Sequence, residues 1–281
     1  VKLHYQATFS KDTPTQDLIF LFVHGLGGTH KLFRPVVAGL EAHFHTVSVD
    51  QRGHGQSLVP SDELNFSPLT MGRDLLTTLE DVNASYSTNF RVIVVGHSMG
   101  VRSAAALAHL APPDQIAALV LVDLGFAGLA SGGLGDALSH FFPLLPPTGF
   151  VDRSELKSFL SANCPDESIA RYLNAASLLD PHSGRYVFPF QAEVLLKIIE
   201  SSKDSTIRPW VEEFARQRKS VLVLRGAQSQ VWRLHDFNNE KNYFAKYPTV
   251  QFKEYENAGH GLPFDQKARF LDDLKEIAVS C

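Results

Sequence analysis

Ser98 stands in Gly96-His97-Ser98-Met99-Gly100, directly after the apolar β-branched run Arg91-Val92-Ile93-Val94-Val95 and before an alanine-rich helical pattern. A serine at so sharp a strand-to-helix turn exposes its hydroxyl above the sheet. The turn also crowds the residues two before and two after it, which is why both are glycines. The Met99 N–H, at the start of the helix, can then donate to a developing oxyanion. This is the pattern of a nucleophile elbow, and the chemistry it suits is acyl transfer through Ser98. A serine hydroxyl is a weak nucleophile at neutral pH, so it needs a base, and the base needs a partner that holds its tautomer. Of the twelve histidines, His260 is the expected base. It lies in Asn257-Ala258-Gly259-His260-Gly261, after the last apolar run and before the last helical pattern, where a glycine-rich loop can carry its ring over Ser98.

The acid is harder to find. The common place for it is the loop after the run 220–224, which here reads Gly226-Ala227-Gln228-Ser229-Gln230-Val231 without a carboxylate. Asp123 offers a second route. It ends Leu119-Val120-Leu121-Val122-Asp123, a strand that finishes at the same carboxyl edge as Ser98, where catalytic groups of open α/β sheets gather. The order Ser98, Asp123, His260 also follows the chain order of nucleophile, acid and base on such sheets. Asp236 and Glu240, farther along the loop, are the fallback acids. Ser229 is expected to support the site by bonding to Asp123 or to the His260 ring. In Phe22-Val23-His24-Gly25-Leu26-Gly27-Gly28 the glycines let a main-chain N–H turn toward the serine, so Leu26 is the expected second oxyanion donor and His24 the brace of that loop. Asp50-Gln51-Arg52-Gly53-His54-Gly55-Gln56-Ser57 reads as loop architecture.

The elements that must position these residues alternate. Apolar runs at 17–23, 45–49, 90–95, 116–122, 220–224 and 250–255 are continuous, as in parallel strands covered on both faces. Helical spacing marks 31–43, 69–83, 98–110, 237–247 and 264–279. The fold class is therefore α/β, with a mostly parallel doubly wound sheet. The interval 124–218 interrupts the rhythm and is too long for a loop, so it is expected to be an inserted, mainly helical cap over a core made of 1–123 and 219–281. Helical patterns at 154–162 and 192–202 support this. Phe126, Phe141, Phe142 and Trp232 are candidate walls of an apolar substrate pocket beneath it, with Leu134, Leu144, Leu145 and Phe150 nearby.

Composition narrows the function. The chain has 281 residues, 44% of them hydrophobic, and a formal charge of −4 with no long basic run, which argues against nucleic acid and anionic membrane surfaces. No stretch approaches the ~20 apolar residues of a membrane span, and no targeting segment is visible, so a soluble, cytoplasmic protein is expected. Cys164 and Cys281 are the only cysteines, too few for a disulfide framework or a cysteine metal site. No metal or organic cofactor is required by the chemistry above.

Together, the His-Gly loop, the Asp-x-Arg-Gly-His-Gly-x-Ser segment, the elbow and the terminal Gly-His resemble the α/β-hydrolase family over nearly the whole chain. Ser229 in place of an aspartate, Val122-Asp123 and the segment Gly184-Arg185-Tyr186-Val187-Phe188 before a helix resemble one branch. These are the small esterases typified by abhydrolase domain-containing protein 11 and bacterial acyl-CoA esterases. The resemblance implies hydrolysis of carboxylic esters and acyl thioesters, with the acid on the strand after the elbow and a small-molecule acyl substrate. Acyl transfer to another acceptor and C–C bond hydrolysis would use the same three residues. A non-catalytic ligand receptor would keep the fold and the pocket. Epoxide or haloalkane chemistry is disfavoured, since it needs a carboxylate where Ser98 stands.

Overall fold

The computed structural model describes residues 1–10, 17–60, 62–130 and 132–281. In chain order the first half holds β1 (Tyr5–Thr8), β2 (Leu18–Val23), α1 (Arg34–Val37), β3 (His45–Val49), α2 (Pro68–Tyr86), β4 (Arg91–His97), α3 (Gly100–Leu110) and β5 (Ile116–Val122). There follow α4 (Leu134–Phe141), α5 (Arg153–Asn163), α6 (Glu167–Ala176), β6 (Leu178–Leu179), β7 (Tyr186–Val187), α7 (Ala192–Lys203) and α8 (Arg208–Arg216). The chain closes with β8 (Ser220–Gly226), α9 (Leu234–Phe244), β9 (Val250–Tyr255), α10 (Leu262–Asp265) and α11 (Lys267–Val279).

The apolar runs pair into one seven-stranded sheet in the order β1-β3-β2-β4-β5-β8-β9, parallel except for β1, which runs antiparallel to β3. Continuous hydrophobicity in β2 is explained by its two covered faces. Ile19, Leu21 and Val23 pack with α2 and α3, whereas Leu18, Phe20 and Phe22 pack with α1 and α11. The same division holds in β4, where Val92 and Val94 face one layer and Ile93 and Val95 the other. The chain moves outward from β2 to β3 and then returns to the far side of β2 as β4. Between β2 and β4, where the strand order reverses, the loops at the carboxyl ends diverge and leave a crevice.

Between β5 and β8 the chain leaves the sheet. Helices α4 to α7 build a third apolar cluster, in which Leu156, Leu160, Leu173 and Leu195 are buried together with Met71 and Met99 of the sheet-flanking elements. The short antiparallel pair β6–β7 is part of this segment. Its last helix, α8, behaves differently: Ile207, Val211 and Phe214 are buried with the sheet residues.

Several expected elements differ in extent. The span 31–43 forms a 3-10 turn, His30–Phe33, and the single turn α1, after which Gly39 and the following turns end the helix. The last helical span is divided into α10 and α11 by Gln266, whose φ of −128° is not helical. The helix expected at 237–247 begins earlier, at Leu234, and ends at Phe244. Edge strand β1 and helix α6 carried no expectation: β1 has only four residues, too few for a periodic signal, whereas α6 buries Ile169, Tyr172, Leu173 and Ala176 on one face, a helical spacing that was available in the sequence.

The elbow is packed to contact. A methyl group on Gly100 would lie 2.3 Å from the Val23 carbonyl oxygen, and one on Gly96 would lie 2.4 Å from the Gly100 carbonyl oxygen. Neither backbone can move without shifting the central strands. Gly100→Ala is therefore expected to destabilise the protein by about 2 kcal/mol or more, lowering the melting temperature by about 4 °C or more in a thermal unfolding scan. An unchanged melting temperature would show that the elbow has slack.

Candidate active site

Five strand ends converge on the crevice. Ser98 follows β4 with φ of 54°, and Asp123 follows β5 with φ of 56°. Both are non-glycine residues in the left-handed region, a conformation that costs about 1–3 kcal/mol and persists only where surrounding contacts impose it. Those contacts are main-chain bonds to the neighbouring strand: Ser98 N donates to Val122 O at 2.8 Å, and Asp123 N donates to Leu224 O at 2.8 Å. The strand ladder thus runs past the strand ends and sets both side chains.

Asp123 is fully buried and accepts three hydrogen bonds. His260 Nδ1 donates to its Oδ2 at 2.7 Å, the Ser229 hydroxyl donates to the same oxygen at 2.5 Å, and Gly226 N donates to Oδ1 at 3.0 Å. Of the two partners left open for Ser229, its hydroxyl takes Asp123. Neither fallback acid takes this place: Glu240 holds Arg208 at 2.7 and 3.0 Å, and Asp236 lies in the first turn of α9. With Nδ1 engaged by the carboxylate, Nε2 is the ring nitrogen of His260 left to handle a proton.

His97 holds the loop that carries His260. Its Nε2–H donates to the His260 carbonyl at 2.8 Å, and the two rings lie 4.8 Å apart. Burial pushes the His97 pKa down to about 3, so the ring stays neutral. This residue was not singled out in the sequence, although its place beside Ser98 in the elbow was the available signal. Gly226 was also missed as a donor, since a main-chain N–H leaves no mark on residue type.

The loop after β2 is braced by two buried histidines. His24 Nδ1–H donates to Gly25 O at 2.7 Å while its Nε2 accepts from Gln51 N at 2.9 Å. His54 Nε2 accepts from Gly27 N at 3.0 Å and its Nδ1–H donates to Arg52 O at 3.0 Å. Each ring works as one donor and one acceptor, which requires the neutral form. Burial lowers the pKa of His24 to about 4 and that of His54 to about 3. Asp50 anchors the next turn: burial pushes its carboxyl up, but bonds from His30 and Gln56 outweigh this and leave it at about 2. Tyr172 of α6 reaches the loop from above. A methyl on Gly25 would lie 2.8 Å from Ser98 Cβ and 3.2 Å from the Tyr172 hydroxyl, so a side chain there has no room.

A cavity of about 450 Å³ opens over the crevice. Ser98, His260, Leu26 and Met99 all line it, which brings the expected nucleophile, base and both main-chain donors to one space. Phe126 and Trp232 are in its wall. Phe141 and Phe142 are not: they pack into the cluster of α4 to α7, 5.4 Å from each other, with Phe142 edge-on to Phe190. The end of α4 and the 3-10 turn Phe142–Leu144 that follows it direct them into that small core, which competes with the pocket for large rings.

With this geometry in place, comparison with known proteins is decisive about the family. The Alpha/beta hydrolase family model matches residues 20–273. The chain belongs to this family. It is 25% identical over 258 residues to a putative esterase/lipase of Haemophilus influenzae, covering 92% of this chain and 82% of that protein. An uncharacterised Mycobacterium tuberculosis protein is 34% identical over 277 residues, covering 92% and 74%. Among solved structures, a marine microorganism esterase superposes with a TM-score of 0.76 at 18% identity over 98% of this chain and 99% of its own. The relatives support a hydrolase, and the family suggests a small-molecule substrate. Among the described residues no helix is long and apolar enough to cross a membrane.

Three buried neutral histidines around one site give a pH signature. His24, His54 and His97 have folded pKa values below the unfolded 6.5, so below pH 6.5 the unfolded chain binds more protons than the folded one. Their contribution is fully present above pH 6.5 and is lost as pH falls toward about 4 for His24 and about 3 for His54 and His97. Each contributes a slope approaching ~1.4 kcal/mol per pH unit in that window. Denaturant unfolding between pH 7 and pH 4.5 should show stability falling on acidification, with a shallower slope in His54→Gln. A stability flat across this range would contradict the neutral assignment.

Proposed function

We propose that the protein is a serine hydrolase that cleaves carboxylic esters or acyl thioesters through an acyl-enzyme on Ser98. The observation that carries this reading is the 2.7 Å bond from His260 Nδ1 to Asp123, together with a shared cavity for Ser98 and His260. Asp123 fixes the tautomer of His260 and stabilises its protonated form, while Ser229 and Gly226 hold the carboxylate from its other sides. Ser98 Oγ attacks the acyl carbonyl as His260 Nε2 takes its proton. The Leu26 and Met99 N–H groups hold the oxyanion, and the Met99 donor gains from the aligned dipoles of α3. His260 returns the proton to the leaving alcohol or thiol. A water, activated by the same nitrogen, then releases the acid.

In this reading 1–123 and 219–281 form the catalytic core, joined by α8, which packs on the sheet, and the rest of the expected cap 124–218 roofs the acyl site. The carboxylate at Asp123, early in the chain, takes the role that Ser229 cannot carry because a hydroxyl holds no charge. Ser229 becomes a positioning residue for that carboxylate.

A fluorophosphonate probe should label the wild-type protein at Ser98 and leave Ser98→Ala unlabelled, with turnover of p-nitrophenyl esters lost in parallel. Asp123→Asn is expected to lower kcat by about 10³- to 10⁴-fold, the scale seen when a triad acid loses its charge. Labelling without turnover on any ester or thioester would overturn the hydrolase reading. A near-normal Asp123→Asn would overturn the assignment of the acid.

A further inference from the structure

Three arginines are buried in the core: Arg52, Arg102 and Arg225. Two of them have carboxylate partners. Arg52 forms a two-point pair with Asp74 at 2.5 and 2.9 Å, and Arg225 meets Glu254 at 2.5 Å. Arg102, only 2% exposed, has none among the described residues. Its Nη1 donates to the carbonyl and hydroxyl of Ser205 at 2.6 and 3.2 Å, and its Nη2 donates to the Ala127 carbonyl at 2.5 Å. Nε has no partner among the described residues. A guanidinium offers five N–H donors and keeps its charge, so neutral acceptors leave both donors and charge uncompensated. Burial alone lowers the Arg102 pKa to about 10, which leaves the group charged at neutral pH.

This cation lines the cavity that holds Ser98 and His260. It sits four residues after Ser98, one turn into α3. A second residue of the same wall also has an unmet donor: Trp232, 3% exposed, has an indole N–H without a partner among the described residues. Both residues border one segment, since Arg102 bonds to Ala127 and a methyl on Gly125 would lie 2.9 Å from Trp232 Nε1. Of the other charges in the lining, Arg208 is held by Glu240, and Arg233 and Asp236 are one of each sign. The cavity therefore combines apolar sides with a surplus of one positive charge, and two of its wall residues each carry a buried N–H without a partner among the described residues. An acyl chain with an acceptor at its far end completes it, and an all-apolar chain does not.

We infer that the cavity takes acyl groups ending in a carboxylate, the monoesters or monothioesters of short dicarboxylic acids, with Arg102 and Trp232 receiving the distal carboxylate. This rests on the acyl-enzyme reading of Ser98. The carboxylate neutralises a buried charge that the chain itself leaves open, and charge-assisted bonds of this kind are worth about 1.5–3 kcal/mol. The acyl carbonyl is then delivered to Ser98 with its tail anchored, which favours chains of one length over shorter and longer ones.

The test uses the purified chain and matched p-nitrophenyl esters: monoesters of succinic, glutaric and adipic acids against butyrate, valerate and hexanoate. At one length the carboxylate ester should be favoured at least ~10-fold in kcat/KM. That preference ratio should fall at least ~10-fold in Arg102→Gln, be largely restored in Arg102→Lys, and fall ~3-fold in Trp232→Phe, which keeps the ring volume. Wild-type protein that cleaves neutral esters as well as or better than carboxylate esters at every length overturns the inference and leaves the hydrolase reading intact. So does a ratio unchanged in both Arg102→Gln and Trp232→Phe, which would make Arg102 a tie between Ala127 and Ser205 only. Failure to cleave any ester of either series overturns the acyl-enzyme reading itself.

Discussion

The buried carboxylate at the end of β5 is the constraint on which the rest of the site depends. Asp123 has no exposed surface, and its buried carboxyl oxygens are satisfied by three donors that converge from three different segments. One donor comes from the end of β8, one from the loop that follows it, and one from the loop after β9. Each holds only if its strand is in register with the next, so the arrangement of the site and the pairing of the sheet stand or fall together. The left-handed turns at Ser98 and Asp123 are part of the same economy of space. They put two side chains above the sheet in conformations that the isolated chain would avoid, and the bonds to Val122 and Leu224 hold them there.

Around this carboxylate the protein uses histidine in two ways. In the proposed reaction His260 accepts a proton and releases it, and the carboxylate beside it serves that role. His24, His54 and His97 need the opposite, burial that keeps them neutral: His24 and His54 each give a donor and an acceptor to the loops at the crevice, and His97 gives one donor to the His260 carbonyl. The difference lies in the surroundings, a carboxylate at contact in one case and apolar packing with main-chain partners in the others. The covering segment enters through Tyr172, whose hydroxyl lies against the glycines of the loop after β2, and through the cluster it builds with Met99. The position of α6 and the shape of the loop after β2 are thereby linked.

How much of this could be read from the residues depended on whether the signal was local. The elbow at Ser98 was legible because glycine spacing, strand and helix lie within one short stretch, and His260 because a glycine-flanked histidine sits between the last strand and the last helices. Asp123 was legible by contrast, from the missing carboxylate in the loop that holds Ser229. The sheet was legible from runs that are apolar on every residue, which only two covered faces explain. Arg102 and Trp232 were opaque as a pair. Their shared lack of partners appears only when α3, the segment after Asp123 and the loop after β8 are brought together. Phe141 and Phe142 show the converse, since their type suited a pocket wall while their helix turned them into the core of the covering segment.

The most direct measurement of the central claim is the proton between His260 and Asp123, observed by NMR as a far-downfield ring N–H resonance. The account predicts such a resonance in the wild-type protein, retained in Ser98→Ala, shifted in Ser229→Ala, and absent from both Asp123→Asn and His260→Ala. The same resonance persisting in Asp123→Asn would show that another group holds the ring and would contradict the account.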